Sequence, residues 1–72
     1  MTGPIKRSVT LAGHRTSISL EPVFWALLEE EAARKNLSIN QFVSQIDDAR
    51  TSNLSSAIRT YLVETLLAAR KP

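Results

Sequence analysis

Along the stretch HRTSISLEP, residues 14–22, polar and apolar residues alternate until a proline is reached. An extended chain places alternate side chains on opposite sides of a strand. The side predicted to pack inward carries Thr16, Ile18 and Leu20. The side predicted to face outward is polar and carries Arg15, Ser17 and Ser19. The alternation predicts one short strand over residues 14–20, immediately ahead of helical sequence.

Three helices are predicted after this strand. A proline at the first helical position and a broad apolar stripe predict a helix over residues 22–35. A capping box, in which Ser38 is followed three residues later by a glutamine, predicts a second helix over residues 39–48. A long, regular apolar stripe predicts an extra helix over residues 54–70. The strand and the helices together supply the predicted dimer core: Ile18, Leu20, Phe24, Trp25, Leu28, Phe42, Ile46, Ile58 and Leu62.

Residues 1–13 are predicted to form a flexible basic arm ahead of a domain that spans residues 14–72. The arm contains Lys6 and Arg7, and glycine and proline interrupt its short strand-like alternation. Gly13 is expected to separate this alternation from the strand that follows. The tripeptide NLS occurs twice, but its copies take different positions relative to the two helix starts. We therefore find no internal repeat.

The composition limits the class of protein. A single domain of 72 residues often needs a disulfide, a metal or oligomerisation for stability. The chain has no cysteine and one histidine, His14, which excludes disulfides and argues against a protein-built zinc site. No apolar run reaches the roughly 20 residues of a membrane span, and the N-terminus lacks the apolar region of a signal peptide. A cytoplasmic oligomer without membrane association is the expectation.

The net charge of +2 is distributed unevenly along the chain. Residues 1–20 carry a charge of +3 without any acid, residues 21–48 carry −4, and residues 49–72 carry +3. Positive charge around the strand and in the last helix favours a polyanionic partner. Ordinary solvated surface charge explains the same distribution equally well.

A lone strand leaves its backbone N–H and C=O groups without partners, which is costly when one face is packed. The arm is one candidate partner, but Gly3, Pro4 and Gly13 make it a poor fixed one, so a second copy of the chain is the expected partner. A two-fold axis makes two such strands antiparallel. The resulting ribbon presents Arg15 and two serines per chain outward, and a two-stranded ribbon fits the major groove of DNA.

The order of strand, helix, turn and helix, with RTSISL running into LEPVFW, resembles the ribbon-helix-helix family of dimeric DNA-binding proteins, the Arc and MetJ type. The resemblance covers residues 15 to about 48, and the longer N-terminal segment and extra terminal helix resemble a bacterial subgroup. It implies a mostly α-helical chain with one short strand, in an intertwined two-fold homodimer around an intermolecular antiparallel ribbon. The two strand serines, where family members often carry larger polar or basic residues, imply modest base discrimination.

The resemblance also implies which residues touch DNA. The family's base-reading positions correspond to Arg15, Ser17 and Ser19. Its phosphate anchor is the backbone at the start of the second helix, which corresponds to Ser38, Ile39 and Asn40. A helix N-terminus favours an anion, in agreement with that role. By analogy with the arms of other DNA-binding domains, Lys6, Arg7 and His14 are predicted to contact phosphates or to enter the minor groove.

The predicted function is sequence-specific DNA binding by a homodimer, as a bacterial transcriptional regulator. The sequence has no catalytic set, no metal-ligand spacing and no glycine-rich phosphate loop, so neither an enzyme nor a cofactor is expected. One alternative is an antitoxin or protein-interaction module whose last helix docks a protein partner. The chain ends at Pro72, two residues after Arg70, which counts against a separate toxin-binding tail. Another alternative is a nucleoid-type DNA-binding protein of low specificity.

Overall fold

The computed structural model of the protein describes residues 3–70 and consists of a two-stranded hairpin followed by three helices. The elements in chain order are β1 (Ile5–Leu11), β2 (His14–Leu20), α1 (Pro22–Arg34), α2 (Ile39–Ala49) and α3 (Leu54–Ala69). The three helices cover the inner face of the hairpin, and α2 packs against β1 while α3 packs against β2. Within residues 3–70, none of the helices combines the length and the apolar character that crossing a lipid bilayer requires.

The two strands form an antiparallel hairpin with a two-residue loop. The loop residues Ala12 and Gly13 have φ angles of +50° and +80°. Positive φ at both loop residues is what a type I′ turn requires, and this turn matches the natural twist of a hairpin. The Gly13 position therefore turns the chain back on itself.

The prediction of a single strand was wrong, because the segment predicted as an arm supplies β1. A break at Gly13 was predicted, whereas in this two-residue loop the glycine joins two paired strands. The alternating pattern of Val9 and Leu11 belongs to a true strand. Because β2 pairs with β1 of the same chain, the lone strand from which a second copy was inferred does not occur in this structure.

The first helix begins and ends with recognisable local chemistry. Pro22 occupies its first turn, where the missing N–H does no harm. Its C-terminal end has Asn36 in the left-handed region, with φ of +58°. The Leu37 N–H donates to the Ala32 carbonyl at 2.9 Å and the Asn36 N–H to the Ala33 carbonyl at 3.1 Å. These two bonds form a Schellman motif, which stops α1 and directs the chain into α2.

Side-chain caps open the other two helices. At α2, Ser38 and Gln41 form a reciprocal capping box. At α3, the Asn53 side chain accepts a hydrogen bond from the Ser56 N–H at 2.8 Å. Each cap satisfies a backbone N–H that the first turn of a helix leaves without a partner. Both helix starts are thereby fixed beside the hairpin.

The core of this single chain contains nearly all the side chains that were predicted for a dimer core. Eight of them are buried: Ile18, Leu20, Trp25, Leu28, Phe42, Ile46, Ile58 and Leu62. Phe24 is half-buried and packs against this cluster. Val9 from β1 is also buried, at 4% exposure, which ties the hairpin's first strand to the helices. Eight of the nine predicted residues are therefore buried within a single chain, and Phe24 remains partly exposed.

Candidate nucleic-acid interface

The outer face of the β1–β2 hairpin is polar along its whole length. Its three facing pairs are Lys6 with Ser19, Ser8 with Ser17, and Thr10 with Arg15. All six residues are exposed, and they supply two cations and four hydroxyl groups. The structure thus places the three predicted base-reading residues on one surface and brings Lys6 to the same surface.

Ser8 and Thr10 were not among the predicted site residues. They reach the outer face because β1 pairs with β2 and its inner face is taken by the apolar side chains of Val9 and Leu11. The sequence indicates these two residues through a second alternating stretch, residues 8–11, in which Ser8 and Thr10 alternate with Val9 and Leu11. It was missed because the loop glycine that joins the two stretches was interpreted as a break.

Each outer edge of the hairpin meets a helix. With a two-residue loop, the backbone N–H and C=O groups of Thr10 and Ser19 point away from the facing strand. The Thr10 N–H donates to Oδ1 of Asn40 in α2, at 3.3 Å. On the other edge, the Ser19 carbonyl accepts a hydrogen bond from Nη2 of Arg59 in α3, at 3.3 Å. The hairpin is therefore flanked by α2 on the β1 side and by α3 on the β2 side.

The start of α2 holds the residues of the predicted phosphate anchor. The Gln41 N–H donates to Ser38 Oγ at 3.0 Å, and the Ser38 N–H donates to Gln41 Oε1 at 2.8 Å. Within residues 3–70, the N–H groups of Ile39 and Asn40 have no hydrogen-bond acceptor. Both residues line a depression of about 260 Å³ between β1 and α2. Free N–H groups and the dipole at a helix N-terminus favour an anion.

Arg7 lies on the opposite side of β1 from Lys6. Its guanidinium carbon lies 4.5 Å from the centre of the Trp25 ring, and its Nη1 donates to Glu29 Oε2 at 3.0 Å. The Trp25 indole N–H donates to the Ile5 carbonyl at 2.9 Å. Arg7 also lines the depression at the start of α2, so the structure brings it to the predicted phosphate anchor. Glu29 compensates part of its charge there.

A second ion pair links α1 to α3 at the far side of the hairpin. Arg59 Nε donates to Glu21 Oε1 at 3.0 Å, and its guanidinium lies 5.9 Å from the centre of the Phe24 ring. The pKa of Glu21 is lowered from its ordinary value of 4.5 by a hydrogen bond from its own backbone N–H and, second, by the hydrogen bond from Arg59. The ionised Glu21 carboxylate holds Arg59 where it also reaches the Ser19 carbonyl.

The third helix has two apolar sides. Ile58 and Leu62 face the core, whereas Val63, Leu66 and Leu67 are between 42% and 54% exposed. A groove of about 460 Å³ runs between α2 and α3. These surfaces lie on the helix at which a protein partner was predicted.

A family model described as a ribbon-helix-helix domain matches residues 4–66. The chain belongs to the ribbon-helix-helix family. Ribbon-helix-helix proteins are generally DNA-binding transcription regulators or antitoxins, they typically bind DNA as dimers, and they are typically non-enzymatic. Searches of the curated proteins and of the solved structures found no match to the chain.

Membership in the ribbon-helix-helix family confirms the recognition made from residues 15–48, and the mostly helical fold agrees with it. The arrangement of the strands differs from the expectation. This ribbon-helix-helix chain carries both strands of a two-stranded ribbon, whereas one strand per chain was predicted.

Proposed function

We propose that this chain is a sequence-specific DNA-binding protein and acts as a transcriptional regulator. The observation that carries the proposal is the outer face of the hairpin, which joins two cations to four hydroxyl groups. The chain has seven acidic residues, and none of them lies on this face. A face that is exposed, polar and free of acids is what a surface that approaches a polyanion requires.

The chemistry of this face suits base recognition in the major groove. A two-stranded ribbon fits that groove, where every base pair presents a distinct pattern of donors and acceptors. Arg15 supplies the guanidinium fork that pairs with O6 and N7 of guanine. Ser17 and Ser19 supply short hydroxyls that donate to or accept from several base edges, and their small size lets the strand lie close to the bases.

The flank of the hairpin suits a DNA phosphate. The free N–H groups of Ile39 and Asn40 open the second helix beside β1. Ser38 holds that helix start in place through the capping box. Arg7 lines the same depression and adds positive charge, while Lys6 reaches the phosphates from the outer face. Such contacts position a protein on the duplex and contribute affinity without sequence information.

We further propose that the DNA-bound form is a homodimer, with one chain on each of two half-sites about one helical turn apart. The typical dimeric state of ribbon-helix-helix proteins supports this proposal. The exposed apolar side chains of α3 offer a surface for the contact between chains: Val63, Leu66 and Leu67. A bacterial cytoplasm, where chromosomal DNA is accessible, is the proposed location.

Replacing Arg15 tests the proposal directly. Arg15→Ala is expected to weaken specific binding by about 1–3 kcal/mol, the usual cost of losing a bidentate base contact, and to relax preference at one base pair. Arg70→Ala is the matched control, because it removes the same charge at the far end of α3, roughly 24 Å from the start of that helix. Equal affinities for the two variants, measured by fluorescence anisotropy on the preferred duplex, would contradict the role given to Arg15.

Two alternatives to a sequence-specific regulator can be tested with the same DNA-binding measurements. The exposed apolar side of α3 favours the protein-interaction alternative, in which an antitoxin docks its partner on this helix. The four small hydroxyl side chains on the hairpin favour a nucleoid-type protein of low specificity. Similar affinity for many unrelated duplexes is the outcome that supports the nucleoid-type alternative. Absence of DNA binding, with a stable folded chain, supports the protein-interaction alternative.

A further inference from the structure

The two strands of the hairpin carry the same short pattern of residues. Residues 6–11 read KRSVTL and residues 15–20 read RTSISL, so each has a basic residue, any residue, serine, a β-branched residue, a hydroxyl residue and leucine. The register places Ser8 opposite Ser17 at the centre of the hairpin. A two-fold axis between these two serines therefore superimposes one strand's pattern on the other's. The two strands repeat residue types and not identical residues, so their sequences contain no exact repeat.

From this symmetry we infer that a single chain supplies the whole DNA-reading ribbon, so that β1 reads bases together with β2. The inference rests on the proposed function and adds Ser8 and Thr10 to the base-reading residues. Lys6 on β1 takes the place that Arg15 takes on β2, and Thr10 takes the place of Ser19. One chain thereby presents the symmetric face that two identical strands would present in a strand-paired dimer.

The attachment of β1 to the helices supports this inference. The Val9 side chain is buried in the core. The Trp25 indole N–H holds the Ile5 carbonyl at 2.9 Å, and the Arg7 guanidinium lies over the Trp25 ring while it pairs with Glu29. Moving β1 away from β2 and α1 would expose an apolar side chain and break these contacts. The first strand is therefore an integral part of the folded unit.

The width of the sheet supports it as well. Neighbouring strands lie about 4.8 Å apart, so the backbones of a two-stranded ribbon enter a major groove about 12 Å wide. Pairing of β2 with a second copy would give four strands, whose backbones alone span about 14 Å. With β1 in place, a second copy's strand makes the sheet wider than the groove.

Contacts at the outer edge of β2 also support a ribbon that is formed by a single chain. The Ser19 carbonyl, which a further strand would need, accepts a hydrogen bond from Arg59. Arg59 is held there by Glu21 at 3.0 Å. The Thr10 N–H on the other edge is taken by Asn40. Each edge of the hairpin therefore makes one hydrogen bond to a helix of the same chain.

Cysteine cross-linking tests which strands are paired, because the natural chain contains no cysteine. The double variant Ser8→Cys/Ser17→Cys places two thiols at a facing, non-hydrogen-bonded pair, a geometry within reach of a disulfide. We expect it to form an intrachain disulfide under mild oxidation, both free and on DNA. Ser17→Cys alone is expected to remain a single chain on a non-reducing gel, at the background level of Thr16→Cys. Rapid interchain cross-linking of Ser17→Cys alone, above that background, would overturn the inference.

Binding measurements test the reading role of β1. Thr10→Ala is expected to lower affinity for the preferred duplex about 2- to 10-fold, the range for loss of one hydrogen bond, and to change base preference. Thr16→Ala is the matched control, since Thr16 is an exposed strand threonine on the opposite face. If Arg15→Ala weakens binding while Thr10→Ala behaves as Thr16→Ala, the inference fails and the proposed function stands. If the natural chain binds no duplex, the proposed function fails and the inference fails with it.

Discussion

Gly13 is the residue on which the hairpin depends. Its φ of +80° lies in the region that residues with a Cβ rarely adopt, and it follows Ala12, which already has a φ of +50°. Space is not the constraint, because a Cβ added at Gly13 would meet nothing within 4 Å. The cost of replacing it is therefore purely conformational.

Gly13→Ala is predicted to lower the free energy of unfolding by about 1–2 kcal/mol, the cost of a left-handed conformation for a residue with a Cβ. Gly3→Ala is the control, since a Cβ at Gly3 also meets nothing within 4 Å and that residue lies ahead of β1, outside the turn. Urea denaturation followed by far-UV circular dichroism measures both. Equal stabilities for the two variants would show that the turn does not require a glycine.

Single residues also show which features of the candidate site could be predicted from the sequence. The outward side chains of β2 followed directly from alternation, and the structure places Arg15, Ser17 and Ser19 on one exposed face. The placement of Arg7 did not follow, because its contacts with Trp25 and Glu29 join residues that lie 18 or more positions apart. Local pattern determines the side of a strand on which a residue lies, whereas its partners depend on how the elements pack.

At the scale of elements, helix starts were predictable because the chemistry that fixes them is local. Pro22, Ser38 and Asn53 lie at or beside the first residue of the helices that the structure contains. Strand pairing was not predictable in the same way. Local alternation does not show whether Ala12 and Gly13 end one strand or form the loop that joins two paired strands. The predicted break at Gly13 therefore gave one strand in place of two, and the expectation of a strand-paired dimer followed from it.

The ion pair between Glu21 and Arg59 makes the α1–α3 contact sensitive to acid. Because the pKa of Glu21 is lowered from 4.5 in the folded chain, ionised Glu21 stabilises the fold above pH 4.5, and this contribution is lost as the pH falls below that value. The difference in stability between the natural chain and Glu21→Gln is predicted to shrink between pH 6 and pH 3. Urea denaturation of both proteins at a series of pH values measures this difference. A difference that stays constant would contradict the stabilising role of ionised Glu21.

At the scale of the whole molecule, α3 is part of the core of a single chain. Ile58 and Leu62 are buried, and Phe42 of α2 meets Tyr61 edge to face, with ring centres 5.4 Å apart. Deleting this helix would expose the apolar faces of α2 and β2. The total stability of a small domain is only a few kcal/mol, so the fold tolerates the loss of few such contacts.

Two leucines of α3 separate its structural role from its exposed surface. Leu62→Ala is predicted to destabilise the fold by about 2–5 kcal/mol, because the leucine is buried and its removal leaves a cavity. Leu67→Ala makes the same chemical change at a residue that is 54% exposed, and a change within about 0.5 kcal/mol is expected. Thermal unfolding at low protein concentration compares them. A large loss for Leu67→Ala and a small one for Leu62→Ala would show that α3 packs with its other side inward.

Selection from random duplexes near physiological salt tests whether the outer face of the hairpin reads DNA. We expect enrichment of a short motif with approximate two-fold symmetry, together with loss of that enrichment in Arg15→Ala but not in Arg70→Ala. Retention of DNA without any motif, or no retention by the folded chain, would contradict this role of the hairpin.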